Sequence, residues 1–249
     1  LTSKKSTKTS MLYQEWEVLF HLSENDKGQN EDIKKRRKAL SKLFNVEVND
    51  SSTDYKALFS LQTTYAGIVK LIACKVVTKI EFNKDIEYFS DLSKLESLSL
   101  RKFLEYIEDG YVFQTGGIRN LLEGDFFSWY CSNGTWSEEE ASLIIEIINI
   151  LEGYSNIFYK HGYSTIDIFK ELYMEIMPQE VRHSLGEYFT PTWLADYVIK
   201  ESIELIKNKD FMIVDPCCGS GIFLMSAIKK IIGSNDIISL SDKSKRELL

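Results

Sequence analysis

Residues 1–177 contain no proline, and Pro178, Pro191 and Pro216 all lie beyond them. Proline removes a backbone donor and clashes with the preceding helical turn, so a proline-free stretch of this length is free to be helical throughout. Punctuation alone therefore divides the chain into a helix-permitting part, 1–177, and a punctuated part, 178–249. The full 249 residues suffice for one large domain or two ordinary ones. With 44% hydrophobic and 27% charged residues, the composition is that of a chain that folds.

Within the first part, apolar periodicity predicts helices over Met11–His21 and Glu31–Asn45, joined by a polar loop from Ser23 to Asn30. The basic run Lys34–Lys38 reads as the solvated face of the second helix rather than as a phosphate contact. Thr53–Lys79 is the longest periodic segment, with Leu58, Leu61, Tyr65, Ile68, Ile72 and Val76 on one face. Tyr111-Val112-Phe113 reads as a short strand before a Gly116-Gly117 turn, and Asn120–Tyr130 is apolar enough to be buried. Ser137-Glu138-Glu139-Glu140 has the pattern of a capping box, opening a helix that ends near Gly153. Another helix begins at Ser164–Asp167 and runs to about Met177, where Pro178 stops it.

Several function classes are disfavoured. The net charge is −7, whereas a chain held to nucleic acid by its own phosphate contacts is usually basic. Cys74, Cys131, Cys217 and Cys218 form no C-x-x-C pair, and His21, His161 and His183 are scattered, so no metal site is expected. Four cysteines in this length are not a disulfide scaffold, and a reducing compartment fits them. No uninterrupted apolar run approaches a membrane span, and no signal segment follows Leu1. The expectation is a cytoplasmic protein without membrane contact.

Chemistry enters after Arg182. The string Gly186-Glu187-Tyr188-Phe189-Thr190-Pro191 reads as a helix start, with Thr190 at the N-cap and Pro191 at the first helical position. Ala195, Ile199, Ile203 and Ile206 make the buried stripe of the helix that follows. Phe211–Val214 then reads as a buried parallel strand, followed by the turn Asp215-Pro216-Cys217-Cys218-Gly219-Ser220-Gly221 and the apolar helix Ile222–Ile232. A strand, a glycine-containing turn and a helix form the first unit of a doubly wound sheet, which binds ligands at the carboxyl ends of its strands. Glycine lets backbone approach a ligand closely, and a helix start presents free N–H groups to an anionic group. Asp215 at the strand end is suited to an ammonium or a hydroxyl. The turn alone matches neither the dinucleotide fingerprint nor a P-loop.

Together the two strings resemble the N6-adenine-specific DNA methyltransferases of bacterial restriction-modification and phage-defence systems, which include type I modification subunits and fused type IIG enzymes. Gly186–Pro191 is similar to that family's motif X, and Asp215–Leu224 is similar to its motif I. The resemblance implies binding of S-adenosylmethionine. Tyr188, Phe189, Thr190 and Pro191 would close over the cofactor, while Asp215, Gly219, Ser220 and Gly221 would face its methionine part. Cys217 and Cys218 are expected to pack rather than to do redox chemistry.

The family's catalytic motif, Asn/Asp-Pro-Pro-Tyr/Phe, needs adjacent prolines, and no two prolines here are adjacent. No residue of this chain is therefore assigned the methyl transfer, in which the family flips the target adenine out of the duplex. The expected fold is mainly α: a helical N-terminal domain, 1–177, followed by the truncated start of a Rossmann-like methyltransferase domain, 178–249. Such an N-terminal fragment is expected to be inactive alone and to bind the cofactor weakly or not at all. DNA contact through a missing C-terminal region is implied for the parent protein, with specificity or restriction subunits as partners. Self-association through the truncated α/β segment is the further expectation. The competing readings are a non-catalytic helical module, binding a partner subunit or DNA beside a vestigial methyltransferase piece, and a methyltransferase with a non-DNA substrate.

Overall fold

The computed structural model describes residues 7–23, 30–81, 89, 91–115, 118–119, 126–154, 168–206 and 211–232. The expected loop over 24–29, the turn at 116–117, the helix start at 164–167 and the tail after 232 lie outside the described residues. The helices in order are α1 (Thr7–Ser23), α2 (Asn30–Phe44), α3 (Ser51–Glu81), α4 (Ser97–Glu108), α5 (Tyr111–Thr115), α6 (Glu138–Gly153), α7 (Ile168–Ile176), α8 (Gln179–Ser184), α9 (Thr192–Glu204) and α10 (Ile222–Ile232), with 3-10 turns at Asp91–Lys94 and Ser128–Cys131. No strand occurs among the described residues. The chain divides into two units, Leu1–Lys160 with Tyr173–Gly186 and His161–Leu172 with Glu187–Leu249.

In the first unit, α3 runs through two hydrophobic cores. Its N-terminal half contributes Tyr55, Leu58, Phe59 and Leu61 to a core shared with Trp16, Phe20, Leu40, Met177 and Val181. Its C-terminal half contributes Leu71, Cys74 and Val77 to a core shared with Leu100, Leu104, Ile107, Phe113 and Ile148. The expected stripe is thus only part of a helix buried on several faces. Length and composition would allow α3 to cross a membrane. Its buried polar groups show what it does instead. Lys70 pairs with Glu108, which also accepts from the Tyr130 hydroxyl at 2.8 Å, and Lys75 donates to the Leu151 carbonyl.

The start of α3 is set by Asp50, whose carboxylate accepts from the Thr53 backbone N–H at 2.8 Å while the Thr53 hydroxyl faces back to the Asp50 backbone. That backbone hydrogen bond holds the Asp50 carboxyl below its ordinary range. The end of α2 is set by Asn45 at φ 51°, a left-handed conformation that asparagine tolerates better than most residues.

The first unit departs from expectation in three places. Tyr111–Phe113 is helical, because Val112 and Phe113 are buried in the second core from a single α-turn. At α6, Ser137 is the N-cap but makes no side-chain bond to the backbone; its hydroxyl donates to the Glu140 carboxylate instead. Lys34–Lys38 is not a wholly solvated run. Arg36 is 1% exposed and forks onto the fully buried Asp54 at 3.1 Å from Nε and 2.7 Å from Nη2, with Arg37 Nε 3.2 Å from the same carboxylate. Arg36 Nη1 also reaches the Ser184 hydroxyl at 3.4 Å, fastening α8 to α2 and α3.

In the second unit, α9 and α10 pack together through Ala195, Ile199 and Ala227, all buried. Ile203 is half-buried, and Ile206 lies past the helix end and is exposed, so the expected stripe is shorter than its pattern. Phe211–Val214 is not a strand here. A strand is held by a ladder partner, and no neighbouring strand is present among the described residues. Met212 and Val214 are accordingly 93% and 78% exposed.

Candidate cofactor-binding site

Asp215 closes the Phe211–Val214 segment and begins the turn. Its Oδ1 accepts from the Cys217 backbone N–H at 3.1 Å, an Asx-type contact that fixes the carboxylate over the turn. Its Oδ2 is buried and has no hydrogen-bond partner among the described residues. A buried carboxylate oxygen without a donor is costly, so Asp215 Oδ2 is the candidate contact for a bound group at this turn.

The turn then passes through Gly219 at φ 52° and Gly221 at φ 82°, both in the left-handed region that favours glycine. Open space surrounds the position a Cβ would take at either glycine. The Gly221 N–H bonds the Cys218 carbonyl at 2.7 Å, and the Gly221 carbonyl accepts from Met225 at 2.8 Å, which starts α10. The N–H groups of a helix's first turn have no intrahelical partner and favour negative charge nearby. Cys217 and Cys218, expected to pack, are both exposed in this turn.

The other expected segment precedes α9. Pro191 is the N-cap and Thr192 the first helical residue, one position later than expected, and no side chain caps the helix. Thr190 is held by its backbone: its carbonyl accepts from Lys170 Nζ at 3.3 Å, and the same ammonium lies 5.6 Å from the centre of the Phe189 ring. Tyr188 is 75% exposed. Lys170 escaped the sequence reading because a single lysine on a helix carries no signal of its own.

The two segments are tied through the helices they open. Ser226 Oγ donates to Asp196 Oδ1 at 2.8 Å, and each residue lies one turn inside its own helix, α10 and α9. Asp196 also escaped the sequence reading. The structure thus brings Asp215, Gly219, Ser220 and Gly221 into one local turn and anchors Phe189 and Thr190 on Lys170.

Residues 164–245 match a family model described as N-6 DNA Methylase. That segment belongs to the N-6 DNA methylase family. Both strings that carried the resemblance, 186–191 and 215–224, fall inside the methylase match. No curated protein and no solved structure matches the chain. The match supports a DNA methyltransferase-type function in general for that segment, while the helices of residues 7–154 lie outside the matched range.

The donor set suits the cofactor that such enzymes use. S-adenosylmethionine carries an ammonium, a carboxylate and a sulfonium. Asp215 Oδ2 offers an unused acceptor to the first, and the α10 start offers N–H donors to the second. Among the described residues no cluster of His, Cys, Asp or Glu could hold a metal ion.

Proposed function

We propose that this chain carries the cofactor-binding opening of an S-adenosylmethionine-dependent DNA methyltransferase acting on adenine N6, working in the cytoplasm within a restriction-modification or phage-defence system. The observation that carries the reading is the buried Asp215 Oδ2, without a partner among the described residues, beside two left-handed glycines at a helix start, inside the matched segment.

The bound group would supply a methyl on a positively charged sulfur. The chain's own residues would bind and orient it. Asp215 would accept from the ammonium, Gly219 and Gly221 would let backbone approach, and Ser220 and the first turn of α10 would donate to the carboxylate. Tyr188, Phe189, Thr190 and Pro191 would cover the group, with Lys170 holding that segment by its Thr190 carbonyl and Phe189 ring.

This chain has no adjacent prolines, so the Asn/Asp-Pro-Pro-Tyr/Phe element must come from elsewhere. We therefore expect no methyl transfer by the chain alone and only weak cofactor affinity, with target DNA and any specificity or restriction subunits engaged by other parts of the parent protein. The test is transfer of tritiated methyl groups by the intact gene product to DNA with and without N6-methyladenine. Incorporation into unmethylated DNA alone supports the reading. Incorporation into RNA or protein instead, or none at all, overturns it.

A further inference from the structure

α10 is apolar from Ile222 to Ile228 except at Ser226. Ser226, at 6% exposure, is buried beside Ala227. A buried hydroxyl is costly unless it is hydrogen-bonded. A helical serine commonly satisfies itself on the carbonyl one turn back, as Ser202 of α9 does on Val198 at 2.7 Å. Ser226 instead sends its hydroxyl across to α9, where it donates to Asp196 Oδ1 at 2.8 Å.

The apolar part of the α9–α10 contact does little to fix how the two helices sit along one another. Its buried residues are Ala195, Ile199 and Ala227. Methyl groups make shallow ridges, so a contact built largely on alanines tolerates sliding better than one of large interlocking side chains. A polar group buried in such a contact sets its register, because only one alignment satisfies it. Here a slip of α10 along α9 takes the Ser226 hydroxyl away from its acceptor.

Register matters at this place because both helices open on the candidate site. Asp196 is the fifth residue of α9 and Ser226 the fifth of α10. Each therefore lies about 6 Å of helical rise from the start of its helix. Pro191 leads directly into one start and Gly221 into the other. A slip of one turn, about 5.4 Å, would displace Tyr188–Pro191 against Asp215–Gly221, and a misplacement of about 1 Å is already enough to impair a site.

We propose that Asp196 and Ser226 are the positioning residues of the cofactor site: their hydrogen bond sets the register of α9 on α10 and with it the spacing between the covering segment, 188–191, and the glycine turn, 215–221. The inference rests on the cofactor reading above. Both residues act through the helices rather than on the bound group.

The test uses the full chain and two readouts. For the first, nitroxides are attached at Tyr188→Cys and at Cys217, with Cys218→Ser; these positions are exposed, whereas Cys74 and Cys131 are buried. Electron paramagnetic resonance should give a single narrow distance when Asp196 and Ser226 are intact. Ser226→Ala, and Asp196→Ala from the half-buried side of the bond, should broaden or split that distance while helicity by circular dichroism is retained. Asp196→Asn keeps an acceptor oxygen and should keep the distance narrow. The combined Ser226→Ala, Asp196→Ala chain should be no worse than either single variant, as expected of two residues that act as one pair. The second readout is ultraviolet crosslinking of methyl-tritiated S-adenosylmethionine. Label within 188–191 or 215–221 should fall about tenfold or more in Ser226→Ala and stay at the wild-type level in Asp196→Asn. A distance unaltered by Ser226→Ala and Asp196→Ala, or equal labelling of the wild-type chain and Ser226→Ala, overturns the positioning role and leaves the cofactor reading standing. A wild-type chain that takes no label overturns that reading and this inference with it, while the distances still show whether the bond sets the register.

Discussion

Replacing Asp54 with alanine is the sharpest perturbation of the helical unit. Asp54 is fully buried and accepts three charge-assisted bonds, two from Arg36 and one from Arg37. The substitution removes the carboxylate onto which the Arg36 guanidinium, itself 1% exposed, forks. Breaking a buried pair in this way costs about 3–5 kcal/mol. By contrast, Ser184→Ala loses a long contact of 3.4 Å to the same arginine and should cost about 0.5–1.5 kcal/mol. The paired replacement Arg36→Met with Asp54→Leu removes both charges and should recover most of the Asp54→Ala loss, because apolar side chains of similar volume replace ion pairs well. Urea unfolding followed by tryptophan fluorescence reads this directly, since Trp16 and Trp129 both belong to the core beside the pair. An Asp54→Ala chain within about 1 kcal/mol of wild type, the value of an exposed pair, would refute the assignment of this cluster as a buried clamp.

Thiol chemistry should separate the cysteines into two classes. Burial pushes the Cys74 thiol up to about 12, and burial with the nearby Glu108 pushes Cys131 up to about 12, so only Cys217 and Cys218 should react with a disulfide reagent at pH 8. Burial also raises the Tyr13 phenol. For all three groups the folded state holds its proton longer than the unfolded state does. Their stabilisation is complete below the unfolded-state values and is lost as pH rises, so urea midpoints should fall progressively above about pH 9. Asn45→Ala should cost about 1–2 kcal/mol, because Asn45 sits at φ 51°, whereas Asn45→Gly should be close to neutral in the same assay. Gly221→Val should unwind the start of α10 and lower helicity by circular dichroism, since φ 82° is closed to a β-branched residue.

Much of the helical unit was legible because its signals are local. The periodicity of Thr53–Lys79, the helix start after Ser137 and the stop at Pro178 each depend on a few neighbouring residues, and helix boundaries or helices stand at all three places, though Ser137 does not cap with its side chain. What escaped was tertiary. Nothing local distinguishes Arg36 from Lys35, and only the approach of α3 and α8 makes one of them a buried ion. Tyr111–Phe113 has strand-forming residues but is helical, because its place against the second core decided the outcome. Phe211–Val214 shows the reverse limit. Its residues suit a buried strand, yet a strand is a property of a pair, and no pairing partner lies among the described residues. At the candidate turn, the conformational need for Gly219 and Gly221 was legible because a left-handed backbone restricts residue choice. Lys170 and Asp196 were not, because their roles exist only after folding.

The most direct measurement is ultraviolet crosslinking of methyl-tritiated S-adenosylmethionine, at millimolar concentration, to the full chain, followed by peptide mapping. Label within residues 188–191 or 215–221 that is lost in Asp215→Ala is the expected result. No label, or label confined to the helical unit and indifferent to Asp215→Ala, contradicts a cofactor site at this turn.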